Sequence, residues 1–140
     1  MLSTPPPQFL ITAMDKGLSV PPLDAEKFNG SFKHFCSVKR LMLDWELLHV
    51  AGRKVNLYSL HEEIMRHRAY DIRQRGPEFW LKIGMRLGFI QSQGMTPAST
   101  EIADRLAKIY KRYLGEFDAI YVMSFVQELQ QRMSHAMSIG

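Results

Sequence analysis

Trp80-Leu81-Lys82-Ile83-Gly84-Met85-Arg86-Leu87-Gly88, a loop of turn-forming residues, and then Leu106-x3-Tyr110-x3-Leu114-x2-Phe117-Asp118 form the stretch that decides the fold. It reads as helix, loop, helix. Gly76-Pro77-Glu78 opens the first helix, with proline in the first turn and an acid near the positive end of the dipole. Phe79, Trp80, Ile83 and Leu87 face inward, and Gly88 stops it. Residues 89–99 hold Gln91, Ser92, Gln93, Gly94, Thr96, Pro97 and Ser99, a polar loop. The second helix is expected over roughly residues 98–114. Ile102, Leu106, Ile109, Tyr110 and Tyr113 lie on one side. Arg105, Lys108 and Arg112 follow Glu101 at i+4, i+7 and i+11 and share the opposite stripe. A helix pair of this kind can lay its second member in a DNA groove.

Working outward, Asn56 is an N-cap candidate, and Val55 and Leu60 are placed for a hydrophobic staple. Leu57, Leu60, Ile64 and Met65 form the stripe of a helix that runs to about Arg68, and residues 69–75 follow as a loop or one short turn. Upstream, a helix is expected from the N-cap Ser31 to the stretch His49 to Gly52, with Phe35, Val38, Met42 and Trp45 inward. Gly52-Arg53-Lys54-Val55 is a short basic loop. Downstream, Ile120 to Met133 carries a last helical pattern with Val122, Met123, Val126 and Leu129. Nothing alternates at period two over a useful length. The fold class is therefore all-α, a bundle of about six helices. Residues 1–27, with five prolines, form an irregular arm on which Phe9, Leu10 and Ile11 could dock. Residues 28–120 form the domain and residues 121–140 a helical extension.

The 140 residues suit one domain. No apolar run is long enough for a bilayer span and the start lacks a signal-peptide pattern, so no membrane is expected as partner. Cys36, the one cysteine, points to a reducing compartment. The net charge of +4 is unevenly spread: residues 52–113 hold 12 Lys/Arg against 6 Asp/Glu, and the rest of the chain 6 against 8. A basic centre suits a polyanion, and ordinary surface lysines and arginines kept for solubility account for the charge equally well.

Enzyme chemistry is not legible. His61 and His67 are six apart on a helix, where a zinc pair needs i, i+4. His34 and Cys36 have no second pair to complete a metal site. Glu62 and Glu63 diverge, and there is no phosphate-binding glycine loop and no nucleophile elbow. No catalytic residue, metal or cofactor is expected.

Three blocks, in order and at fitting separations, resemble the AT-rich interaction domain (ARID) of chromatin proteins: Val55-Asn56-Leu57-Tyr58-Ser59-Leu60; then Trp80, Ile83, Gly84, Leu87 and Gly88; then Leu106, Tyr110, Leu114, Phe117 and Asp118. The resemblance covers roughly residues 28–120. It implies a helical bundle containing a helix-turn-helix variant, whose second helix enters the major groove while two loops contact flanking backbone. The matching positions are Arg53 and Lys54 with Gly52 in one loop, Ser92, Gln93, Gly94 and Thr96 in the other, and Ser99, Thr100, Arg105, Lys108 and Arg112 on the helix. Arg and Lys neutralise phosphates, and Ser, Thr and loop N–H groups donate to phosphate oxygens. The quoted aromatic and leucine anchors match packing positions.

Two departures bear on this. The family often has Gly-Gly after the second helix, where this chain has His67-Arg68-Ala69-Tyr70. The groove helix often carries Ser/Thr at base-reading positions, where this chain has Asp104 and Arg105, one turn after Glu101. Carboxylates repel phosphates, so weak, largely sequence-indifferent DNA binding is expected rather than strict AT-rich recognition. The resemblance implies double-stranded DNA as partner, a nuclear location, a place among other subunits of a chromatin-associated complex of the Swi/Snf remodeller type, and a monomeric isolated domain. The alternative is a helical protein–protein interaction domain with this fold and residual DNA affinity, supported by the acidic pair, the 120–133 helix and nine methionines.

Overall fold

The computed structural model describes residues 19–69, 75–91 and 96–139, with side chains as far as residue 134. Phe9, Leu10, Ile11, Ser92, Gln93 and Gly94 lie outside the described residues, as does most of the 69–75 connection. The regular elements of the described part are helices apart from one small hairpin.

Helix α1 spans Ala25–Lys39. Its N-cap is Asp24, whose Oδ1 accepts the Lys27 N–H at 2.8 Å. The start expected at Ser31 is thus too late by almost two turns. An aspartate at the cap and a glutamate in the first turn favour the earlier beginning. Phe28, Phe32 and Phe35 form the inward stripe, and all three pack edge-on against Phe117. The expected run to residues 49–52 also fails. Arg40 takes the left-handed conformation at φ 54°, its N–H donates back to Ser37 O, and Leu41 N–H donates to Cys36 O. The chain leaves the helix there, so Val38, Met42 and Trp45 are exposed rather than inward.

Residues 53–54 are not a plain loop. β1 (His49–Val50) and β2 (Arg53–Lys54) pair antiparallel with His49 opposite Lys54 and Val50 opposite Arg53. Ala51 (φ 52°) and Gly52 (φ 77°) make the two-residue turn, whose paired positive φ angles match the strand twist. Leu48, Val50 and Val55 are buried. Two-residue strands are too short for an alternating pattern to be visible in sequence.

Helix α2 (Leu57–Arg66) begins as expected, with Asn56 Oδ1 accepting the Ser59 N–H at 3.1 Å and both Val55 and Leu60 buried. Helix α3 (Pro77–Arg86) follows, with Trp80 and Ile83 buried and Gly88 (φ 85°) just past its end. A Cβ on Gly84 would lie 2.5 Å from Ile90 Cδ1, so glycine there lets the chain fold back onto the helix.

Helix α4 (Pro97–Ile109) starts with a capping box: Thr96 Oγ1 accepts the Ser99 N–H at 3.1 Å, and Ser99 Oγ accepts the Thr96 N–H at 2.9 Å. It does not end near residue 114. The helix widens into a π-helical segment, Tyr110–Leu114, and continues as α5 (Gly115–Ile139). Gly115 keeps helical angles, φ −55° and ψ −51°, so no stop occurs. The wider turn seats Tyr110, Tyr113 and Leu114 all inward while Lys111 and Arg112 stay outside. The expected six helices become four helical rods among the described residues, since the last two patterns belong to one rod.

The core holds one buried polar chain. Leu23 N–H donates to His61 Nε2 at 3.0 Å, which makes that nitrogen an acceptor and leaves the ring proton on Nδ1. Nδ1–H donates to Asp118 Oδ1 at 2.7 Å, and Tyr110 Oη–H donates to Asp118 Oδ2 at 2.9 Å. Burial pushes the Asp118 carboxyl above its ordinary value, against the pull of the His61 and Tyr110 hydrogen bonds. Tyr58 and Tyr121 hydroxyls donate to the carbonyls of Leu23 and Pro21. The strap 20–23 is thus held across α2 and α5 by its main chain.

Candidate nucleic-acid interface

The helix pair α3–α4 and the β-hairpin share one edge of the bundle, and two arginines join them. Arg53 Nη1–H donates to Gly88 O at 2.7 Å, and its guanidinium lies 5.1 Å from the centre of the Phe89 ring. That fastens β2 to the start of the loop between the two helices. Arg105 Nη2–H donates to His49 O at 2.8 Å and fastens β1 to the middle of α4. A guanidinium can do this because its planar fork bonds a carbonyl while its face stacks on a ring. Both arginines were assigned to DNA from sequence; in the structure their donors also hold the hairpin in register with the helix pair.

Lys54, Lys108 and Arg112 are exposed along the same edge. The Lys54 ammonium sits 4.2 Å from the centre of the Trp45 ring. Lys108 Nζ pairs with Asp104 Oδ2 at 2.9 Å, one turn back and largely exposed, an arrangement worth little in water. The Arg112 guanidinium lies 5.5 Å from the Tyr113 ring centre. Lys111, beside it, is exposed as well and was not singled out from sequence. Glu101 and Asp104, three positions apart, are exposed on the same helix.

The hydroxyl residues divide. Ser99 is buried at 4 %, and its hydroxyl belongs to the capping box, so it orders the start of α4. Thr96 is exposed but its Oγ1 serves the same cap. Thr100 is exposed, and Gly52 sits at the hairpin tip.

Trp45, expected to face inward on a helix, is 55 % exposed beside Lys54. The signal was Asp44, a turn former: its Oδ1 accepts the Glu46 and Leu47 N–H groups at 3.0 and 3.4 Å.

Among the described residues no group of three His, Cys, Asp or Glu comes together to hold a metal ion, and no helix is long and apolar enough to cross a membrane. His61 and Asp118 form a close pair, but both are shut in the core. Glu63, Arg86 and His67 form a second polar group near the surface. Arg86 Nε–H and His67 Nε2–H donate to Glu63 Oε2 at 2.6 and 3.0 Å.

Comparison with curated proteins and with solved structures returned no match. Comparison with family models matches residues 24–118 to the ARID/BRIGHT DNA binding domain. That span begins at the N-cap of α1 and ends at the buried Asp118, and it contains the hairpin, the helix pair and both arginine ties. The chain belongs to the ARID/BRIGHT DNA-binding domain family.

Proposed function

We propose that this domain is the DNA-binding module of a chromatin-remodelling or transcription-regulating protein, working in the nucleus beside other subunits and monomeric in isolation. It binds duplex DNA with α4 along the major groove and, as the family resemblance implies, two loops, one of them the hairpin, contacting flanking backbone. The observation that carries this reading is the cationic edge of Lys54, Lys108 and Arg112 on elements tied by Arg53 and Arg105. Binding has little sequence preference. Glu101 and Asp104 lie on the approach face, where carboxylates weaken phosphate contact, and the Thr96 and Ser99 hydroxyls at the start of α4 are engaged in the capping box. A second reading, a protein-interaction domain, draws on α5, whose exposed Leu129 and Met133 lie beyond the buried core.

A salt titration with short duplexes, one AT-rich and one mixed, tests the first reading. Affinity should fall steeply with salt, at a logarithmic slope near 0.9 per phosphate contact. The two duplexes should differ by less than about tenfold, well below the discrimination several base contacts give. Changing Lys108 and Arg112 together to alanine should weaken both complexes alike and lower the slope by about two. Absence of binding to any duplex at low salt favours the second reading, and strong preference for one site overturns the expectation of weak selectivity.

A further inference from the structure

We infer that Trp45 is a fixed aromatic contact for duplex DNA, its indole packing against a backbone deoxyribose beside the groove that α4 enters. This rests on the DNA-binding reading above and adds an apolar contact to it.

The backbone around Trp45 is held on every side. Tyr113 Oη accepts the Asp44 N–H at 3.0 Å, which ties the turn to the π-helical segment next to Arg112. Asp44 Oδ1 and the Asp44 carbonyl accept three N–H groups from Glu46, Leu47 and Leu48. The His49 ring bonds the Trp45 carbonyl, and His49 N–H donates to Glu46 O. The indole itself projects, and Met42 beside it is 82 % exposed. A large aromatic side chain on a fixed backbone, left in water, loses little freedom on binding. Residues of that kind dominate contact energies.

Charge identifies the occupant. Lys54 lies over the ring, and Arg112 lines the same shallow recess as Met42 and Trp45. The acids lining it are Asp44, whose Oδ1 accepts N–H groups of its own loop, and Glu46, which is exposed. Lys54 and Arg112 belong to the hairpin and to the helical rod respectively. A duplex that meets both passes over Trp45. A nucleic-acid backbone offers anionic oxygens and an apolar sugar face side by side, which matches a cation-flanked indole.

The chain contains two tryptophans, Trp45 and the buried Trp80, so the contact has its own optical signal. The whole chain is titrated into a fluorescein-labelled duplex, reading anisotropy for binding and tryptophan emission for the contact. Emission should be quenched with the same midpoint as the anisotropy rise. Trp45→Phe should keep affinity close to the parent and lose the quench. Trp45→Ala should bind several-fold more weakly, with the salt slope unchanged because no phosphate contact is removed. Unchanged emission in a complex that anisotropy shows to be formed, or parent-like binding by Trp45→Ala, overturns the inference and leaves the DNA reading standing, with the patch assigned to a protein partner. No binding by anisotropy with any duplex at low salt overturns both. Thermal melts of each variant separate lost contact from lost fold; if Trp45→Ala melts early, the quench in Trp45→Phe against parent decides.

Discussion

Arg68 carries a structural load that its side-chain chemistry does not suggest. It closes α2 at φ 55°, where its N–H donates to Met65 O and the next N–H, of Ala69, donates to Ile64 O. Glycine reaches that conformation without the Cβ penalty, and the family often has glycines in this region. A left-handed L-residue costs roughly 1–2 kcal/mol, and glycine gives part of that back through its freer unfolded state. Arg68→Gly should therefore raise unfolding free energy by about 0.5–1 kcal/mol in chemical denaturation, with no change in the denaturant slope. A loss of stability would mean that the arginine side chain contributes more than its backbone strain removes. The turn was hard to read in sequence because an arginine stands where glycine would have announced it. His61 was opaque for a related reason: it lies in a polar-looking run, His61-Glu62-Glu63, and its partner Asp118 is 57 positions away.

At the scale of elements, most of those whose ends are marked by their own side chains were legible, the start of α1 at Asp24 being the exception. Asn56 and the Gly76-Pro77 pair gave the starts of α2 and α3, and Thr96 with Ser99 lies at the start of α4. Elements whose ends depend on distant contacts were not. α1 stops at an arginine, and the rod from Pro97 passes through Gly115 because the residues around it pack on α1 and α2. The candidate interface followed the same rule. The exposed cations Lys108 and Arg112 were readable from spacing and Lys54 from its basic loop, whereas the ties of Arg53 to Gly88 and Arg105 to His49 join segments 35 and 56 positions apart. These ties make Arg53→Lys informative. Lysine keeps the charge but lacks the planar fork that both bonds Gly88 O and stacks on Phe89. If Arg53 acts mainly by holding the hairpin against the helix pair, the lysine variant should bind duplex several-fold more weakly with an unchanged salt slope. Parent-like affinity in Arg53→Lys, with a reduced slope in Arg53→Ala, would instead mark a simple phosphate contact.

Over the whole molecule, the fold extends past the span that matches the family. Val20 is buried upstream of Asp24, and Val122 and Val126 are buried downstream of Asp118, so strap and rod close the same core. Two carboxyls, Asp118 inside that core and Glu63 near the surface, respond to acid with opposite sign. Asp118 is held above its ordinary value by burial, so it favours the folded state most at low pH, and that contribution is lost as pH rises through its folded pKa. For Glu63, burial works to raise the carboxyl, but the hydrogen bonds and charges of Arg86 and His67 together outweigh it and hold the group below its ordinary 4.5. Its ionised form therefore stabilises the fold above that value, and the contribution disappears as pH falls through the lower, folded pKa. Glu63→Gln removes this titration and leaves Asp118 in place, so subtracting the two proteins cancels the opposing group. Near neutral pH the parent should be the more stable of the two. The gap should narrow steadily as the solution is taken from about pH 6 to about pH 3, following the single-group linkage relation. Thermal or chemical unfolding at a series of pH values measures it. A gap that stays constant through the acid limb would show that Glu63 acts by packing and neutral hydrogen bonds alone. A gap that widens would place its folded pKa above 4.5, with desolvation stronger than its cationic partners.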